Sequence, residues 1–276
     1  MTLRIIESLV VGGLLGFLSG LLGVGGGFIL VPLLTILGES IHTAIGTSVA
    51  FVACATLAGT LQHVRQGSLD VLVALTMTLP AAVLANIGAH FAGLLSPSTL
   101  AILFACLLTG VLVMYAVAPD TRARLPATNA PTARFPWYVL RRQRVVADTP
   151  YHYHVNLLKA GVSGLIAGGL TGFFGVGGGF FLVPVAVVIL HIPVRVTIGT
   201  CLAVSVLPAW VGTATHWRLG HIDVGLWIPL VIAGILSSQL GARCVMYFSP
   251  ILIKRFFLGL LAIGAIFMLA KGFMLV

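Results

Sequence analysis

Gly20-Leu-Leu-Gly-Val-Gly-Gly-Gly-Phe-Ile-Leu-Val-Pro32 returns 152 residues later as Gly172-Phe-Phe-Gly-Val-Gly-Gly-Gly-Phe-Phe-Leu-Val-Pro184. Beyond it the match continues at an offset of 153. Ile45-Gly46-Thr47 pairs with Ile198-Gly199-Thr200, and His63-Val-Arg-Gln-Gly67 with His216-Trp-Arg-Leu-Gly220. Asp70 matches Asp223, Gly88-Ala89 matches Gly241-Ala242, and Ser96-Pro97 matches Ser249-Pro250. Matches in fixed order over such a length mean duplication of one module. The boundaries fall at 1–118 for the first repeat, 119–155 for a linker and 156–276 for the second repeat.

The module is a membrane module. Of the 276 residues 59% are hydrophobic and only 8% charged, against about 25% charged in an ordinary soluble domain, and mean hydropathy is +1.14. A helix needs roughly 20 apolar residues to cross a bilayer. Runs of that order recur at Ile5 to Leu22, Ala44 to Leu61, Val71 to Leu95, Thr99 to Ala118, Ala160 to Val176, Val196 to His216, Val224 to Gly241 and Phe256 to Ala270. The N-terminal segment reads as a retained first helix, because Glu7 interrupts any signal-peptide pattern and the run leads straight into the repeated motif. The expected fold is an all-α polytopic membrane protein of two repeated helical halves.

Each half begins with an apolar stretch broken by glycines, Gly23 to Gly27 and Gly175 to Gly179, with two short arms expected around each break. Broken backbone at membrane depth is tolerated only where protein or a wet cavity surrounds it. Paired breaks in two repeats point to a transporter's binding site. Consecutive glycines let a ligand approach the backbone, and the helix starting at Phe28 or Phe180 offers unpaired N–H groups and partial positive charge. Gly23, Gly25, Gly26, Gly27, Gly175, Gly177, Gly178 and Gly179 are therefore candidate anion ligands; close helix packing of small residues is the competing reading. Thr47, Ser48, Thr200 and Cys201, expected near the start of the following helices, are candidate substrate contacts, or bonds to their own turn.

His63, Arg65, His216 and Arg218 stand at the far ends of those helices as candidate gates, or as interfacial anchors. Asn86 and Gln239 are candidate pathway residues. The acidic residues Glu7, Glu39, Asp70, Asp120, Asp148 and Asp223 all avoid the centres of apolar runs. Cation sites and proton relays commonly use such carboxylates, so an anion is the expected cargo. No nucleophile with a base, paired acids or metal spacing points to an enzyme. Cys54, Cys106, Cys201 and Cys244 lie in apolar runs without C-x-x-C spacing, and neither a cofactor nor a metal is expected.

Net charge is +9, but Arg122, Arg124, Arg134, Arg141, Arg142 and Arg144 concentrate in the linker, which places it on the cytoplasmic side rather than on nucleic acid. The linker reads as a loop with a short surface helix near Trp137 to Val146. Charge by side fits parallel and inverted repeats equally; inverted repeats, which supply two equivalent gates around one site, are the preferred expectation.

The duplicated G-x-x-G-V-G-G-G-F-x-x-V-P motif, the I-G-T motif and the H-x-R-x-G loop together resemble the TauE/SafE family of sulfite and organosulfur anion exporters. That resemblance implies a permease of the cytoplasmic, or inner, membrane for sulfite, sulfonates or related anions. The expected function is secondary transport between the two breaks as the halves rock, with Phe28, Phe180 and Trp210 as walls. An anion channel, or a non-transporting sensor or assembly component using the basic linker, is the alternative. Expected partners are a small anion, membrane lipids and, through small-residue faces such as Gly12 to Gly20, a second copy of the chain.

Overall fold

The computed structural model describes residues 2–117, 136–146 and 149–274. Arg122, Arg124, Arg134, Asp120 and Asp148 lie outside the described residues.

The first half forms α1 (Thr2–Leu22), α2 (Gly27–Ile36), α3 (Ile41–Arg65), α4 (Val71–Leu94) and α5 (Pro97–Val117). The second repeats that order as α6 (Leu157–Phe174), α7 (Gly179–Val188), α8 (Val194–Arg218), α9 (Val224–Cys244) and α10 (Pro250–Met274). Eight of these helices are long and apolar enough to span a membrane; α2 and α7 are short apolar helices of 10 residues. At about 1.5 Å per residue a ten-residue helix reaches only halfway through the roughly 30 Å hydrocarbon core. The first apolar stretch is therefore one full-length helix and one short arm, not two short arms. The start of α1 lies beside the end of α2, with Arg4 and Glu39 3.9 Å apart, so the pair forms a hairpin that leaves the bundle on the side it entered.

Local signals set the starts. The Ser40, Asn156 and Asp223 side chains accept N–H bonds from the first turns of α3, α6 and α9, the usual way to satisfy orphan helix donors. The helices then pack across the repeats rather than within them. In α1, Gly12, Gly16 and Gly20 abut Leu230, Gly234 and Ser238 of α9 so closely that a Cβ would strike backbone; in α6, Gly164, Gly168 and Gly172 do the same against Met77, Ala81 and Ala85 of α4. Lipid provides no hydrophobic drive for helix association, so close backbone approach along small residues must supply it. The small-residue faces pair within the chain, and α1 to α9 and α4 to α6 are the most extensive contacts of the molecule. Outward-facing side chains such as Leu79, Val83, Leu236 and Ile266 remain exposed to the bilayer.

α3 and α8 cross in the middle with opposite ends adjacent. The Asp70 N–H, after α3, donates to Thr200 Oγ1 near the start of α8, and the Asp223 N–H, after α8, donates to Thr47 Oγ1 near the start of α3.

The expected surface helix in the linker is overturned. β1 (Val139–Val146) and β2 (Thr149–Asn156) form an antiparallel hairpin. In β2, Tyr153 and Val155 are buried and alternate with His152 and His154, the two-residue period of a strand. The hairpin docks on Asp70. Arg142 reaches the two carboxylate oxygens at 2.7 and 2.8 Å, Tyr153 donates at 2.6 Å, and Arg144 stands 3.6 Å away. Burial works to raise the Asp70 carboxyl, but the Arg142 and Tyr153 hydrogen bonds and the Arg142 charge outweigh it and hold it to about 2. Burial, with the adjoining carboxylate, pushes the Tyr153 phenol well above its ordinary value.

Candidate functional site

The two glycine breaks meet. At the first, Gly23, Gly25 and Gly26 all take positive φ, which carries the chain from α1 into α2 at little cost only for glycine. A Cβ on Gly27 would lie 2.6 Å from the Gly175 carbonyl and 2.8 Å from the Val176 Cα; one on Gly179 would strike the Gly23 carbonyl and lie 2.8 Å from the Val24 Cα. Each break is thus the wall of the other. Gly177 and Gly25 both face Val52, at the middle of α3.

This contact puts the N-termini of α2 and α7 against each other in the centre of the bundle. Their first rings, Phe28 and Phe180, are completely buried and stack with centroids 6.3 Å apart. The first amides of a helix have no intrahelical acceptor, and each N-terminus carries roughly half a positive charge. Two of them facing in a dry interior make a focus of positive potential without a cationic side chain.

The hydroxyls divide. Ser48 is at the crossing, its Oγ donating to the Gly175 carbonyl at 2.8 Å with the Gly27 carbonyl at 3.3 Å. Cys201, its counterpart, is buried in the same way. Thr47 and Thr200 lie more than one turn inside α3 and α8, not at their starts, and each accepts an N–H from the loop after the other long helix. Their observed role is to tie the halves together.

The candidate gates also divide. His63 and His216 are buried and bind the glycine motifs: His63 Nε2 is 3.1 Å from the Gly20 carbonyl and His216 Nε2 is 3.0 Å from the Gly172 carbonyl. A ring nitrogen facing a carbonyl must carry the proton, so each histidine clamps the end of its long helix to its own break. Arg65 and Arg218 are exposed. Asn86 Oδ1 accepts from the Thr215 hydroxyl at 2.8 Å, a bond across α4 and α8, and Gln239 is half-buried on α9. Trp210, expected as a wall, is 43% exposed on the outer face of α8, because a helix that crosses the bundle must still present one side to lipid.

Ser19 and Thr171 were not singled out, although they occupy matching positions one residue before Gly20 and Gly172. Thr171 Oγ1 accepts the Gly178 N–H at 2.6 Å. Ser19 Oγ, beside the first break, is fully buried and has no hydrogen-bond partner, which costs about 1–3 kcal/mol. Both breaks bond back to their own helix through the Gly23 and Gly175 amides, but only the second adds a bond to a side-chain hydroxyl.

The sequence profile described as "Sulfite exporter TauE/SafE" matches residues 8–268. Relatives are named only as probable membrane transporter proteins. YunE of Bacillus subtilis is 25% identical, over 84% of this chain and 85% of its own. YdhB of the same organism is 26% identical, over 87% and 90%, and a Xylella fastidiosa (strain 9a5c) protein is 29% identical, over 88% and 87%. No solved structure matches. The chain belongs to the TauE/SafE sulfite-exporter family and is a multi-pass membrane transporter, not an enzyme.

Proposed function

We propose that the protein is a secondary transporter that carries a small sulfur-containing anion, sulfite or a sulfonate, across the cytoplasmic membrane. The observation that carries this is the meeting of two helix N-termini at the glycine crossing, with Ser48 between the breaks and Ser19 unpartnered beside the first. An oxyanion bound there would accept from the first amides of α2 and α7, and its charge would relieve their mutual repulsion. The side chains around the crossing, Val24, Val176, Phe28, Phe180, Thr47 and Ser48, are completely buried, so this is an occluded conformation.

Inverted repeats are supported by the pairing of the helices. α1 lies alongside α9 and α4 alongside α6 in parallel, while α3 and α8 are antiparallel; a two-fold axis in the membrane plane relates the halves and leaves one gate at each end. Because the repeats interleave, the moving parts are not the halves. Access alternates as the glycine hairpins part from α3 and α8 at one end and then the other. Arg65, Lys159, Arg195, Lys254 and Arg255 accompany the hairpin's arginines at the linker end, against Arg4, Arg218 and Lys271 at the far end, which makes the linker end cytoplasmic. The docking of the linker's β-hairpin on Asp70 favours a role for it within the transporter.

Uptake of labelled sulfite into liposomes containing the purified protein, with sulfate and a sulfonate as competitors, tests the reading. Saturable uptake inhibited by the sulfonate is expected. Absence of uptake under both proton and sodium gradients would rule out this cargo class.

A further inference from the structure

Four histidines gather at the far end of the bundle. His42 opens α3, His90 ends α4, His216 ends α8, and His221 lies in the turn between α8 and α9. The His216 and His221 Nδ1 atoms are 3.2 Å apart, and the His42 and His221 ring centroids 5.3 Å. His90 stands within electrostatic reach of His216, and His42 Nε2 is buried without a hydrogen-bond partner. The two-fold equivalents at the linker end are Arg195, Arg243, His63 and Ser68. There His63 Nδ1 pairs with the Ser68 hydroxyl at 2.9 Å, and the two arginines keep their charge at any ordinary pH. Of the two equivalent sets, the far one has four titratable rings, where the linker one has two arginines, one histidine and a serine.

The pair His216 and His221 can share only one proton. His216 Nε2 faces the Gly172 carbonyl and so carries hydrogen, which leaves Nδ1 of the neutral ring bare to accept from His221 Nδ1–H. A second proton on His216 sets two N–H groups face to face and breaks the bond; one on His221 Nε2 adds charge beside His42 and His90. Of the carboxylates at this end, that of Asp223 accepts from the Gly225 and Leu226 amides that open α9, and Glu39, before α3, stands 3.9 Å from Arg4. Arg218 beside the turn is itself positive, and α6 offers only the Gly172 carbonyl. Among the described residues no three such side chains are placed to share a metal ion.

We propose that His42, His90, His216 and His221 form a proton-binding site that latches the far end of the transporter. The neutral His216 to His221 bond holds the α8–α9 turn shut over the second glycine break; a proton on His216 Nδ1 breaks that bond, and one on His221 keeps it but charges the partly buried cluster, so that added protons favour release. What passes once the latch opens rests on the anion-carrier reading; the proton site does not. Burial, and after it the His42 charge, lower the His221 pKa from its ordinary value. The closed end is thus fully favoured above about pH 6.5 and loses that preference as pH falls below it.

Trp217 and Trp227 flank the turn, their rings 6.5 Å apart, and give a readout independent of flux. With Trp137 and Trp210 replaced by Phe, tryptophan emission of the protein in liposomes is titrated from pH 8 to 5, and sulfite uptake is measured at each pH for wild type and H221S. Ser stands at the equivalent position in the other half, so H221S should fold. The expected result is an emission transition absent from H221S, and a wild-type to H221S flux ratio that changes at least threefold with pH; the ratio cancels protonation of sulfite itself. An emission titration unchanged by H221S, or a pH-independent flux ratio, overturns the proposal. Absence of flux from both proteins would sink the carrier reading, while the emission titration would still decide the proton site.

Discussion

A methyl group on Gly27 would come within 2.6 Å of the Gly175 carbonyl and 2.8 Å of the Ser48 hydroxyl, at a position where the backbone cannot retreat because Gly26 already takes a φ of 78°. Overpacking of this kind typically costs about 1–3 kcal/mol; here it also wedges apart the surfaces that the proposed mechanism closes around an anion. Gly27→Ala and Gly179→Ala are therefore expected to lower transport by at least tenfold in protein that still inserts. Gly13 meets nothing within 4 Å. Gly13→Ala should be neutral or stabilising by up to about 1 kcal/mol, because alanine is the better helix former, as measured by thermal unfolding in detergent. At the same scale Ser19→Ala removes a hydroxyl that has no partner. If Ser19 serves only packing, the variant should bind sulfite as well as wild type; the anion reading expects weaker binding with the ligand-free protein at least as thermally stable as wild type.

Among the elements, the β-hairpin and the α3–α4 loop depend on one carboxylate. Arg142→Ala would leave Asp70 buried with one strong partner missing. Breaking a buried ion pair costs about 3–5 kcal/mol, and the lower end applies because the Arg142 side chain is 24% exposed. Limited trypsin digestion of Asp70→Asn or Arg142→Ala should cut the hairpin at least tenfold faster than wild type, at Arg141 or Arg144. Since the Asp70 carboxyl is held down to about 2, the docking energy is intact above about pH 4 and lost only as pH falls from there towards 2. The eight apolar runs and the glycine breaks were legible because hydropathy and glycine runs are local signals, but the arm before each break, expected to be short, is a full-length helix. The hairpin was not: its first strand reads Arg141-Arg142-Gln143-Arg144, without apolar alternation, and Tyr153 finds its reason only in Asp70, 83 residues away. The glycine stripes were visible too, but nothing in Gly12, Gly16 and Gly20 says that their partner is α9 rather than α4 or another chain. Ser48, a candidate contact, lies at the glycine crossing, whereas Thr47 beside it and its counterpart Thr200 are tied to the opposite half by bonds that no local pattern announces.

For the whole molecule, duplication explains the symmetry of the scaffold, and the departures from it make the two ends chemically different. The linker end has a docked basic hairpin and fixed guanidinium groups; the far end has histidines and the unlatched Asp223. Ser96 and Ser249 are matched, exposed residues after α4 and α9, and the proposed inverted arrangement would put them on opposite faces of the membrane. In a background where the four cysteines are replaced by alanine, Ser96→Cys should react with an impermeant maleimide in intact cells, and Ser249→Cys only after permeabilisation. Labelling of both from one side would require parallel repeats. The central claim is that an anion passes where the two breaks meet, and labelled sulfite uptake by liposomes containing Gly27→Ala, Gly13→Ala or wild-type protein tests it most directly. The account predicts saturable uptake by wild type and Gly13→Ala and a loss of at least tenfold in Gly27→Ala at equal amounts of inserted, monodisperse protein. Equal uptake by all three would place the path somewhere other than the glycine crossing.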